Sequence, residues 1–76
     1  IERGRGMILK VLDEGDFNLS MRLNINYDME YIEVVVYVQN KRAHTAITKT
    51  YTANDFHEAL RYFEQQERFL FGKKED

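Results

Sequence analysis

The 76-residue chain contains no cysteine and no proline. Without cysteine it can form neither a disulfide nor a thiolate metal site, so a hydrophobic core alone must stabilise the fold. No internal repeat, low-complexity segment or linker divides the sequence. We therefore expect one domain over residues 7–72, of a size that is marginal unless its core is well packed or shared with another subunit.

Long apolar runs are also missing. No stretch approaches the roughly 20 residues needed to cross a bilayer, and residues 1–6 are too polar for a signal peptide. Together with the lack of cysteine, this favours a cytoplasmic protein. We expect residues 1–6, which precede Met7, to be either a flexible arm or a vector-derived remnant, and residues 73–76 to form a charged tail.

Positive and negative residues nearly balance each other, and the formal net charge is −2. So small a charge does not predict a polyanionic or polycationic partner, and only its local distribution is informative. Lys41, Arg42 and Lys49 lie close together in the sequence and form a basic patch. The 43% hydrophobic and 32% charged residues are typical of a globular protein.

The residue types that carry catalysis or bind metals do not occur in diagnostic patterns. His44 and His57 fall on different predicted elements, and His57 does not begin an H-E-x-x-H motif. Ser20 lies among asparagines, with no base marked beside it. The acidic residues within 13–16 surround a glycine, as in a solvated turn. We therefore expect a non-enzyme with no metal and no cofactor.

Hydrophobic patterning predicts four strands. The predicted strands are residues 7–12, 17–25, 31–38 and 43–51, with turns at 13–16, 26–30 and 39–42. Residues 17–25 alternate strictly between apolar and polar, which is the strongest strand signal in the chain. The last strand is weaker, and Lys49 shares its apolar face, as in an edge strand whose lysine stem lies on the sheet.

A helix is predicted after the strands. Thr52 and Asp55 approximate a capping box, so the helix should begin near Ala53, and Gly72 is a natural stop. The apolar residues that share one helix face are Phe56, Ala59, Leu60, Phe63 and Leu70. The sequence thus predicts an α+β fold: an antiparallel sheet of about four strands, in β-β-β-β-α order, with one C-terminal amphipathic helix packed on one face.

With a single helix, the second face of the sheet stays uncovered. Its expected members are Lys10, Arg22, Asn24, Tyr31, Val35, Tyr37, His44 and Thr48. Such a face fits ordinary cross-strand packing, a protein interface, or a surface for single-stranded nucleic acid. In the last case Tyr31 and Tyr37 would stack on bases, and Lys10, Arg22, Lys41 and Arg42 would meet phosphates. The element order is similar to that of the single-stranded-DNA-binding transcriptional coactivators, although no motif matches that family residue for residue.

Two further aromatic residues lie on the predicted helix. Tyr62 and Phe69 are seven residues apart on one flank, away from the centre of the apolar stripe. They either cover the rim of the sheet or meet a partner, and their flanking position favours rim packing.

The leading interpretation is a small non-catalytic binding or regulatory module that acts through protein contacts as a homodimer. Phages and mobile elements often encode such modules, an association that rests on size and composition alone. Single-stranded nucleic-acid binding through the uncovered sheet face is the alternative.

Overall fold

The computed structural model describes residues 4–26 and 30–72. The elements are four strands, β1 (Gly4–Glu14), β2 (Phe17–Asn26), β3 (Tyr31–Asn40) and β4 (Thr45–Thr52), then a 3-10 turn (Ala53–Asp55) and the helix α1 (Phe56–Phe71). This confirms the predicted α+β fold and its β-β-β-β-α order.

The strands form one antiparallel sheet in the order β1-β2-β3-β4. Each strand pairs with its neighbour in sequence because the connections are short. In the turn between β1 and β2, Gly15 has a φ of 60°, which glycine adopts without steric cost. The meander leaves β1 and β4 as the two free edges of the sheet.

The core lies between α1 and one face of the sheet. Its buried residues are Leu19, Met21, Val34, Val36, Val38, Ala59 and Phe63. Leu19 pairs with Val38 across the two central strands, in a register that keeps the aliphatic sides of β2 and β3 on one face. Near the end of α1, Phe71 packs edge-to-face on Phe17, with ring centroids 6.4 Å apart. The predicted core side of the sheet and the predicted stripe of the helix are both confirmed.

The two ends of α1 differ in how well the sequence predicted them. Gly72 stops the helix in a left-handed conformation, and its N–H donates to the Arg68 carbonyl at 3.0 Å, as expected. The predicted capping box is wrong, because the Thr52 hydroxyl donates to the Asp55 carboxylate at 3.4 Å and neither side chain caps a backbone N–H. A capping box uses Glu or Gln, and the shorter Asp55 meets the threonine hydroxyl instead.

A β-bulge in β1 changes which residues face the helix. Ile8 pairs with Arg22, whereas Lys10 pairs with Met21, so one extra residue separates them. The extra residue reverses the alternation that follows it. Lys10 consequently lies on the helix side, with its Nζ 5.1 Å from the centre of the Phe63 ring. The prediction that Lys10 belongs to the uncovered face is wrong, because strict alternation cannot reveal a bulge.

Some element boundaries also shift. β1 begins at Gly4, so it includes part of the segment expected to be an arm. His44, expected on the sheet face, lies instead in the turn before β4 with a φ of 58°, so its placement on that face is wrong. Residues 1–3, residues 27–29 of the predicted turn and the tail 73–76 lie outside the described residues.

Candidate interaction site

The uncovered face of the sheet mixes apolar and polar side chains. Two rows cross all four strands, Ile8–Arg22–Val35–Thr50 and Val11–Ser20–Tyr37–Thr48. Ile8 and Val11 are exposed at the β1 edge, whereas Val35 and Tyr37 are half-buried by their neighbours on β3 and the strands beside it. Alternating apolar and polar pairs of this kind suit ordinary cross-strand packing on a wet face.

The basic residues proposed to meet phosphates do not converge on this face. Lys10 lies on the helix side of the sheet, exposed beside the helix. Lys41 donates to the Asp13 carboxylate at 2.7 Å, and this hydrogen bond lowers the pKa of Asp13 below its ordinary value. Arg42 lies 3.9 Å from Asp16. Within the described sheet, Arg22 remains as the basic side chain on the uncovered face.

The two tyrosines proposed for base stacking are also poorly placed. Tyr31 and Tyr37 are six residues apart on β3, so their backbones are separated by about 20 Å. The Tyr31 hydroxyl donates to the Glu33 carboxylate at 2.7 Å, and this bond raises the pKa of Tyr31. A carboxylate beside the ring repels phosphate, so this end of the face is unfavourable for a nucleic-acid backbone.

Of the two free edges of the sheet, β4 is the one without a bulge. All residues of this strand except Tyr51 are exposed, and its pairing with β3 runs without interruption from Thr45 to Thr52. Proteins commonly protect edge strands with bulges, prolines or charged side chains. β4 carries a single charge, on Lys49, whose Nζ is drawn back to within 4.7 Å of the centre of the Tyr62 ring. Its backbone is therefore an accessible template for another strand.

An apolar groove of about 290 Å³ lies beside this edge, between the start of β4 and the end of α1. Ile47 and Phe69 line it and are 57% and 82% exposed. No other large apolar side chain in the described ranges is as exposed as Phe69. Met7 and Ile32 are also exposed, at 56% and 40%, at the opposite corner of the sheet face that the helix covers.

The structure separates the two aromatic residues on the helix flank. Tyr62 is half-buried against the core and holds Lys49, so the predicted rim packing is confirmed there. For Phe69 that prediction is wrong, because Phe69 is 82% exposed and lies beside Ile47 of β4, the strand at which the described sheet ends. Sequence reasoning did not single out Ile47 as an exposed residue. The signal was present in Lys49, since a charged residue on the same face shows that the helix covers it incompletely.

No protein-family model matches the sequence, and neither the curated proteins nor the solved structures give a match. In the described part of the chain, no helix has the length and apolar character required to span a membrane. Within residues 4–26 and 30–72, no three acidic or histidine side chains group as a metal site would require.

Proposed function

We propose that the protein is a small non-catalytic binding or regulatory module that acts through protein contacts. The contact region is the β4–α1 surface, defined as the free edge of β4 together with Ile47, Tyr62 and Phe69. This proposal rests on the exposure of Phe69 beside an unprotected strand edge. We also propose a cytoplasmic location, since a cysteine-free chain suits a reducing compartment.

The exposed Phe69 ring gives the surface most of its gross binding energy. A phenylalanine buries about 200 Å² when it is fully enclosed, and burial contributes about 25 cal/mol per Å². Since Phe69 is 82% exposed, enclosing it is worth up to about 4 kcal/mol before the cost of association. Aromatic residues, phenylalanine among them, are enriched at protein interfaces.

The strand edge determines the orientation in which a partner binds to the same surface. A partner strand that adds to β4 gains main-chain hydrogen bonds along its length, while the groove at Ile47 and Phe69 selects the side chains that fit. The uncovered sheet face offers no comparable combination, because its apolar residues are interleaved with polar ones and two of the proposed phosphate-binding residues are ion-paired.

The test is photocrosslinking inside the cells that make the protein. A photoreactive phenylalanine analogue replaces Phe69 in one variant and Ile8 in a control, which is exposed on the opposite face of the sheet. We expect discrete protein adducts from position 69 and weak or diffuse adducts from position 8. Equal yields at the two positions, or nucleic-acid adducts alone, would contradict the proposal.

A further inference from the structure

We propose that the occupant of the β4–α1 surface is a second copy of this chain, whose β4 pairs antiparallel with the first about a two-fold axis at Thr48. This inference rests on the proposed function and names its partner. The pairing joins the two sheets into one of eight strands, with both helices on the same side.

Symmetry restricts the register of such a pair. A two-fold axis perpendicular to the sheet pairs residues of the same face, so the axis passes midway between one residue of β4 and its copy. An axis at Lys49 would place two ammonium groups directly opposite each other, which is destabilising. An axis at Thr48 sets threonine against threonine and places Ile47 beside the aliphatic stem of the partner's Lys49. Seven residues, 45–51, then pair in each strand.

The helix layer obeys the same symmetry. Tyr62 lies above Lys49, and Phe69 shares the groove with Ile47. Because Ile47 and Lys49 are equidistant from Thr48, the pairing sets Ile47 of each copy opposite the partner's Lys49. Each exposed Phe69 ring is thereby placed on the side of the partner's Tyr62, and an aromatic contact between the two rings is part of the proposed interface.

This self-complementarity favours a second copy over a foreign strand. A foreign strand would have to supply an aromatic group and an aliphatic stem at matching positions, whereas this chain already carries both at equal distances from one residue. An isologous interface requires such a match between a surface and itself.

The dimensions predict a reversible dimer. Seven paired residues at about 3.4 Å each give a contact about 24 Å long. With the helix layer above the strand, the buried surface is roughly 600 Å² per copy, near the lower end of specific interfaces. We therefore expect dissociation on dilution, with a dissociation constant on the order of micromolar.

The absence of native cysteine makes the register directly testable, because a single introduced cysteine has no competing thiol. In the proposed dimer the two Thr48 Cα atoms lie about 5 Å apart, within disulfide range. The matched control is Thr52, which is also exposed and on the same face of β4, but whose two copies are about 27 Å apart. We expect Thr48→Cys to form a covalent dimer under mild oxidation and Thr52→Cys to remain monomeric. Equal crosslinking of the two variants would overturn the register.

Sedimentation velocity tests the helix layer of the same interface. Phe69→Lys should raise the dissociation constant by about tenfold or more, and Ile8→Lys, on the opposite face, should leave it unchanged. If the purified chain is monomeric at about 100 micromolar, well above the expected constant, the inference is refuted. Protein adducts from the photocrosslinker at position 69 would then still support the proposed function, so the two failures are distinguishable.

Discussion

Two phenylalanines on α1 allow a sharp test of how the helix is oriented. Phe63 is fully buried against the sheet, whereas Phe69, six residues later, is 82% exposed. Replacing a buried phenylalanine by alanine costs about 3 to 5 kcal/mol through lost burial and the cavity that remains. A domain of this length has a free energy of unfolding of about 4 to 11 kcal/mol. Phe63→Ala should therefore remove a large share of the stability, and in a weakly stable domain all of it.

The same substitution at Phe69 should change the free energy of unfolding of the monomer by less than about 0.5 kcal/mol. Urea denaturation followed by far-ultraviolet circular dichroism measures both variants. With a slope of about 1 kcal/mol per molar urea, Phe63→Ala should lower the midpoint by about 3 M or more.

The protein concentration decides what the Phe69→Ala measurement reports. Below the dissociation constant of the dimer only the monomer contributes, and the variant should match the wild type. Above it, the wild type gains stability by mass action and Phe69→Ala should lose that gain. Similar destabilisation by both variants at low concentration would refute the assigned orientation of α1.

Three further predictions concern the helix end, the ion pair and the uncovered face. Gly72→Ala should lower the free energy of unfolding by about 1 kcal/mol, because residue 72 has a φ of 63°; an unchanged urea midpoint would contradict this. Since Lys41 holds the pKa of Asp13 below 3.8, their pairing stabilises the fold above that pH and is lost as the pH falls through the lowered value. Lys41→Met should raise this pKa in an NMR titration of the carboxyl group, and an unmoved pKa would exclude the contact. Labelled single-stranded DNA and RNA should show no anisotropy change at low salt; salt-sensitive binding that Tyr37→Ala weakens would instead support the nucleic-acid alternative.

The fold was largely predictable because its elements have strong local signals. Strict alternation over residues 17–25 predicted β2, and the apolar stripe with Gly72 behind it predicted α1 and its end. The start of α1 was less predictable, since Thr52 and Asp55 bond to each other and a 3-10 turn precedes the helix. Gly72 alone predicts where the helix ends, whereas Thr52 and Asp55 are compatible with either a capping box or a direct bond between their side chains.

The candidate interaction site was only partly predictable. Helical periodicity predicts that Tyr62 and Phe69 lie on one flank of the helix. Lys49 on the apolar face of β4 predicts that this strand is an edge strand. Which of the two aromatic rings is covered depends on where the sheet ends beneath the helix, and periodicity contains no such information. Ile47 was missed for the same reason.

By itself, the sequence determined the element types, the α+β class and the faces that form the core, because residues two, three or four apart report the local periodicity of strand and helix. Only the tertiary structure decided the rest. The bulge in β1 moved Lys10 to the helix side of the sheet, acidic residues at the first turn pair with Lys41 and Arg42, and the end of the described sheet at β4 left Phe69 uncovered. Each of these outcomes depends on groups that are distant in sequence and meet only when the strands are paired, so no local pattern records them.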